Sequence, residues 1–332
     1  MPELRKDPIL GRWIIISTRR AARPNDFKNI IPRTTLKGAC PFCMGNEEMT
    51  PPNILTIPED AKNGENGTWR VRVVSNKYPA LRIEGNLNKM GDGIYDRMNG
   101  IGAHEVVIET PRHELSLTGL DRGEVAEVVY AYKLRMVDLK RDPRFTYGML
   151  FKNVGQPAGA SVEHTHSQLI VLPTVPKLAN EEMDGSKVFY DYRGRCLFCD
   201  MIRQEIQTES RIIFHNRRFV AFCPFASRFP FEIWILPLEH ESHFENISAE
   251  DIPELSEILL ETIRRLESAL KEPSYNFMVH TTPFNIGSCD YYHWHIEIIP
   301  RVTRVAGFEW GTDFYINPVP PEKAAGYMKD VE

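Results

Sequence analysis

The sequence has no apolar run approaching the roughly 18 residues that a membrane helix needs. Its first residues, Met1-Pro2-Glu3-Leu4-Arg5-Lys6-Asp7, lack the apolar core of a signal peptide. Both absences point to a cytoplasmic protein. Excess positive charge is missing as well: 40 Lys and Arg against 45 Asp and Glu leave a formal net charge of -5. That balance argues against a broad nucleic-acid or membrane-binding surface. It leaves room for a local basic pocket that takes a phosphorylated small molecule. Cysteine is scarce, six in 332 residues, too few for a disulfide scaffold. What is present is an ordinary globular composition, 42% hydrophobic and 26% charged, in a chain long enough for two domains.

Four of the six cysteines form Cys40-Pro41-Phe42-Cys43 and Cys196-Leu197-Phe198-Cys199. Each pair opens the same ordered set. A strand follows, then Pro-x-His ending at His113 or Pro-x-x-His ending at His240, an amphipathic helix, another strand and a His-x-His. The helices are expected over about 121–140 and 249–270. The final strands carry His164-Thr165-His166-Ser167-Gln168 and His293-Trp294-His295. The spacing from His113 to His164 nearly equals that from His240 to His293, so the chain reads as an internal duplication. Its repeats are placed at 1–176 and 190–332, joined by a polar linker over 173–194.

Two thiolates and two imidazoles suit a tetrahedral zinc ion. The first repeat offers Cys40, Cys43, His113 and His164; the second offers Cys196, Cys199, His240 and His293. In the second set His243 and His280 compete as ligands. Cys223 and Cys289 have no partner at ligand spacing and read as small buried residues.

On a strand, His164, His166 and Gln168 face the same way. With His164 given to metal, His166 is left free beside it as a neutral imidazole able to attack phosphorus. Gln168 is placed to donate to a phosphate oxygen, and Asn153, Gly159 and Ser161 supply further donors. Arg20 and Arg23, at the end of an early β-branched strand, suit either phosphate or a solvated turn.

These residues give the chain a resemblance to the galactose-1-phosphate uridylyltransferases of the histidine-triad superfamily. It is carried by Arg20-Ala21-Ala22-Arg23-Pro24, the first Cys-x-x-Cys, Asn76, Pro111-Arg112-His113, Asn153-Val154-Gly155, Gly159-Ala160-Ser161, the His-x-His-x-Gln and Gly307-Phe308-Glu309. The resemblance implies an α+β fold of tandem histidine-triad domains, with mostly antiparallel sheets and packed helices. It implies a homodimer and a double displacement through a nucleotidyl-His166, with UDP-glucose and galactose 1-phosphate as the nucleotide sugar and sugar 1-phosphate. It places the base and ribose near Asn76, the phosphates near Arg20, Arg23, Asn153, Ser161 and Gln168, and the hexose phosphate near Phe308 and Glu309. The run from Gly307 to Pro318 and the second Cys-x-x-Cys are similar to the plant adenylyltransferases acting on ADP-glucose. An adenylyltransferase or phosphorylase on ADP-glucose or a dinucleoside polyphosphate is therefore the enzymatic alternative. A zinc-structured nucleotide-binding adaptor is the non-enzymatic one.

Overall fold

The computed structural model describes residues 1–18, 39–58 and 69–331. Its elements run β1 Glu3–Lys6, β2 Trp13–Ile16, β3 Asn53–Ile57, β4 Val71–Ser75, β5 Met90–Asp92, β6 Tyr95–Arg97, β7 Ala103–Ile108, α1 Arg122–Leu139, β8 Tyr147–Val154 and β9 His166–Leu172. Then follow α2 Lys177–Arg193, α3 Leu197–Thr208, β10 Ile212–His215, β11 Phe219–Phe222, β12 Ile233–Pro237, α4 Ile252–Leu270, β13 Tyr275–His280, β14 His295–Pro300, α5 Gly307–Thr312, β15 Tyr315–Asn317 and α6 Pro321–Lys329.

The architecture is α+β. One ten-stranded antiparallel sheet has the order β10-β11-β12-β14-β13-β8-β9-β7-β4-β3. Read from its two ends toward the middle, each half follows the same path, and the halves join where β13 pairs antiparallel with β8, Tyr275 opposite Val154. β1, β2 and β15 form a small separate sheet.

Each repeat covers its half of the sheet with one long helix. A capping box, Asp121 with Glu124, starts α1. Its buried stripe is Val125, Val128, Val129, Tyr132, Met136 and Leu139. The stripe of α4, including Leu255, Ile258, Leu259, Ile263 and Leu266, joins it in one core. Burying each such side chain contributes about 1.5–3 kcal/mol. Gly148 on β8 lets α1 approach, since a Cβ there would lie 2.9 Å from Met136 Sδ and 2.5 Å from the Phe284 ring.

Two expectations need correction. The segment read as a polar linker is largely α2, a 17-residue helix. Only Ala179, Glu182, Met183 and Ser186 are buried along it, and Gly194 ends it in the left-handed conformation. That narrow stripe, half of it polar, hides the helical period. And β9 begins at His166, so His164 lies just before the strand rather than on it. Its ring is drawn aside by Thr110 and the first cysteine pair.

Candidate active site

The sulfurs of Cys40 and Cys43 each lie 3.6 Å from His164 Nδ1, and Cys43 Sγ lies 3.3 Å from His113 Nδ1. A carbonyl can only accept, so His164 Nε2 carries the proton it donates to Thr110 O at 2.8 Å. Its Nδ1 lone pair therefore points at the sulfurs. Burial lowers the His164 pKa to about 4, so the ring is uncharged at neutral pH.

The second repeat builds the same arrangement at a different local structure, with Cys196 as the N-cap residue of α3. Cys199 Sγ lies 3.5 Å from His240 Nδ1 and 3.8 Å from His293 Nδ1. The opposite nitrogens donate to Cys289 O and Pro237 O. In each set the four donor atoms lie within 4.8 Å of one another. Tetrahedral zinc with bonds of about 2.0–2.3 Å spaces its ligands about 3.3–3.8 Å apart, so both donor sets fit the ion. His243 is outside the second set: its Nε2 meets Gly287 O and its Nδ1 faces Glu245.

His280 belongs to a third metal-capable group, Glu182, His280 and His295. The sequence reading missed it because Glu182 sits on α2, within the presumed linker. His280 Nδ1 lies 3.1 Å from Glu182, and although burial opposes its charge, Glu182 and Glu297 hold its pKa up at about 10. This group borders a cavity of about 230 Å³ that Trp234, Arg228 and Glu297 also line. The N-terminal segment Lys6, Asp7, Pro8, Ile9 and Leu10 closes the cavity, and His166 does not line it.

At the start of β9, His166 Nδ1 donates to His164 O at 2.8 Å. Its Nε2 thus carries the lone pair, and among the described residues that atom makes no hydrogen bond. The Phe42 ring packs edge-on against both His164 and His166. Burial and the nearby Lys152 ammonium lower the His166 pKa to about 4.

Beneath the strand lies a polar network that the sequence did not reveal. Lys152 Nζ donates to Glu109 at 2.6 Å, to Thr165 Oγ1 at 2.7 Å and to the His166 carbonyl at 3.0 Å. Ser167 and Tyr132 donate to the other Glu109 oxygen. Glu109 is buried, yet Lys152 keeps its pKa below the usual carboxylate range.

Two amides flank His166. Gln168 accepts from His104 at 2.8 Å. Asn153 Oδ1 accepts from Asn276 Nδ2, which also donates to Ala158 O, both at 2.8 Å. Gly159, at φ +91, turns the chain close to Asn153 Nδ2, and Ser161 beyond it is exposed. Asn76 Nδ2 lies 3.1 Å from the His104 ring. Phe308 and Glu309 are on α5, where Glu309 caps the helix through Ala306 N. Among the described residues, no hydrogen bond or ring contact links them to His166. Arg20 and Arg23 lie outside the described residues.

A family model described as the N-terminal domain of galactose-1-phosphate uridyl transferase matches residues 1–176. A second, described as a domain of unknown function (DUF4921), matches 125–330. An ADP-glucose phosphorylase of Arabidopsis thaliana is 37% identical over 99% of this chain and 93% of its own length. A galactose-1-phosphate uridylyltransferase of Thermotoga maritima is 28% identical over 100% of this chain and 99% of its own. The crystal structure of the Arabidopsis thaliana ADP-glucose phosphorylase with bound ADP-glucose superposes with a TM-score of 0.86 at 35% identity, covering 100% of both chains.

Proposed function

The chain is a nucleotidyltransferase of the galactose-1-phosphate uridyl transferase family, and we propose that it moves the nucleotidyl group of a nucleotide sugar through His166. The observation that carries this is the His166 tautomer. With Nδ1 donating to His164 O, the Nε2 lone pair is free for attack.

Nε2 attacks the α-phosphorus of the donor. The P–N bond forms as the bond to the bridging oxygen breaks, and the sugar 1-phosphate leaves with that oxygen. A phosphate oxygen of the acceptor then attacks the same phosphorus and the P–N bond breaks. The acceptor phosphate is already ionised near neutral pH, so no base is required to activate it. Gln168 and Asn153 offer amide hydrogens to the charge that develops on the phosphoryl oxygens.

Of the donors weighed from sequence, ADP-glucose and UDP-glucose, the 37% identity to a phosphorylase of ADP-glucose favours the adenylyl donor, with inorganic phosphate as acceptor. Uridylyl transfer to galactose 1-phosphate is the second reading, favoured by the 28% identical uridylyltransferase. Cys40, Cys43, His113 and His164 would hold one zinc and Cys196, Cys199, His240 and His293 another, each ion supplying a cross-link between loop and sheet. The reading includes a cytoplasmic homodimer built from two repeats per chain, 1–176 and 190–332. The homodimer draws its support from the β5–β6 arm, where Ile94 is 90% and Tyr95 72% exposed.

The test supplies ADP-glucose and UDP-glucose, each labelled at the α-phosphate. Acid-labile, base-stable label on the wild-type chain, absent from His166→Gly, is the expected result. An unlabelled wild-type chain with both donors would leave the adaptor as the better reading.

A further inference from the structure

We infer that His104 is a positioning residue that fixes which end of the Gln168 amide faces the phosphate. The inference rests on the nucleotidyl-transfer reading for its consequence. Its structural content stands apart from that reading.

His104 lies on β7, opposite Ile170 of β9, so its ring reaches along the sheet to Gln168. Two groups settle its tautomer. Ala80 N lies 3.2 Å from His104 Nδ1. A backbone N–H can only donate, so Nδ1 is the acceptor and the proton sits on Nε2. That Nε2–H points at Gln168 Oε1, 2.8 Å away. Asn76 Nδ2, 3.1 Å from the same Nε2, then meets a protonated nitrogen and makes no hydrogen bond to it. The Asn76 amide is instead oriented by its oxygen, which accepts from Tyr78 N at 2.8 Å.

An amide left to itself presents oxygen or nitrogen to a phosphate with similar ease of rotation, and the oxygen end repels the anion. His104 removes the choice. With Oε1 occupied, Gln168 keeps both amide hydrogens for the phosphate. Among the described residues the Gln168 side chain has no other hydrogen-bond partner. The opposite flank follows the same logic. Asn276 Nδ2 donates to Ala158 O, so it is a nitrogen, and it also occupies Asn153 Oδ1. Both amides beside His166 are thus held with their oxygens taken.

The second repeat lacks both partners, the imidazole and the amide. Gln168 pairs across the sheet with Val106, and Glu297 with Trp234. Two residues back along these strands stand His104 and Glu232. There a carboxyl faces a carboxylate, and Arg228 pairs with Glu297. No amide remains to be oriented.

The test is a cycle of variants in the full chain. His104→Phe should slow labelling of His166 by α-labelled ADP-glucose about 10- to 100-fold, with KM held within about twofold, because a misdirected donor costs most in the transition state. His104→Gln, whose amide can donate to Oε1, should recover most of that loss. In a Gln168→Ala background, His104→Phe should add nothing. Equal loss in both backgrounds would overturn the inference, since it would mean that His104 acts on the fold or elsewhere. Long-range ¹H–¹⁵N spectra of the wild-type chain give a readout independent of activity. They should show His104 protonated on Nε2, and a proton on Nδ1 would overturn the inference. A wild-type chain that never labels would count against the nucleotidyl reading alone, leaving the tautomer to decide this one.

Discussion

The two repeats share a backbone plan and diverge on both faces of the His-x-His strand. In the first, the buried face is polar: Thr165 and Ser167 meet Glu109, Lys152 and Tyr132. In the second, the same positions are Trp294 and Ile296, and Trp294 packs against Phe219 and Phe244. The other face reverses the contrast. His166 lies between neutral amides with its Nε2 free. His295 is stacked between Trp234, 4.9 Å away, and His280, 4.6 Å away. Glu182, Glu297 and Arg228 crowd the same place with charge. One scaffold therefore holds a nucleophile where the front is uncharged and open to hydrogen bonding. Where aromatic rings and ion pairs line the front, beside the cavity of about 230 Å³, the histidine ring lies stacked among them. The fold supplies the strand, and the residues flanking the histidine decide its chemistry.

The largest expected effect separates the two histidines. His166→Gly should fold, keep its metal and lose transfer by about 10⁴-fold or more, the scale seen when a covalent nucleophile is deleted. Added imidazole should restore part of the turnover. Removing the His295 ring should instead lower the melting temperature while His166 still labels. Comparable losses of labelling from both would erase the distinction between the repeats.

Next in size is the buried ion pair. Lys152→Met leaves Glu109 charged and unpartnered by its cation, which should cost about 3–5 kcal/mol of folding stability. Along β13 the matching residue is Val279, since Phe151 and Met278 face Gln168 and Glu297. Trimming the apolar residue at the place of Ser167 by Ile296→Val should cost only about 0.5–1.5 kcal/mol. Urea unfolding of both variants compares the two faces directly, and equal midpoints would show that the polar network carries no special weight.

Metal content gives a finer division. Elemental analysis of protein purified without added metal should find zinc at two Cys₂His₂ sites. Cys40→Ala should lose the ion that anchors His164, two residues ahead of His166, and with it most transfer. Cys196→Ala should lose its ion yet keep labelling, with a reduced melting temperature. Retention of full zinc by either variant would remove that cysteine from its ligand set.

The smallest effect concerns Asn276. Asn276→Ala frees the Asn153 oxygen and should slow labelling about tenfold or less, with a stability loss limited to its two part-buried hydrogen bonds, about 1 kcal/mol each. An unchanged rate would mean that Asn153 holds its orientation unaided.

The α+β plan, the duplication and the stripes of α1 and α4 were legible because each leaves a periodic or repeated pattern in the chain. The cysteines and histidines of both metal sets were legible by spacing alone. What escaped depends on cross-strand proximity. His104 is one histidine on an apolar strand until β9 is laid beside β7. Lys152 and Glu109 read as ordinary charges until the sheet buries them together. Glu182 was hidden by α2, whose buried stripe is too short and too polar to announce a helix.

We expect one histidine of the four in the two His-x-His pairs to form the covalent bond. Wild-type protein is mixed with ADP-glucose, quenched in base and digested, and the modified peptide is sequenced by mass spectrometry. A nucleotidyl group is expected on His166 and none on His164, His293 or His295. Modification of any other histidine, or turnover with no modified peptide at all, would contradict it.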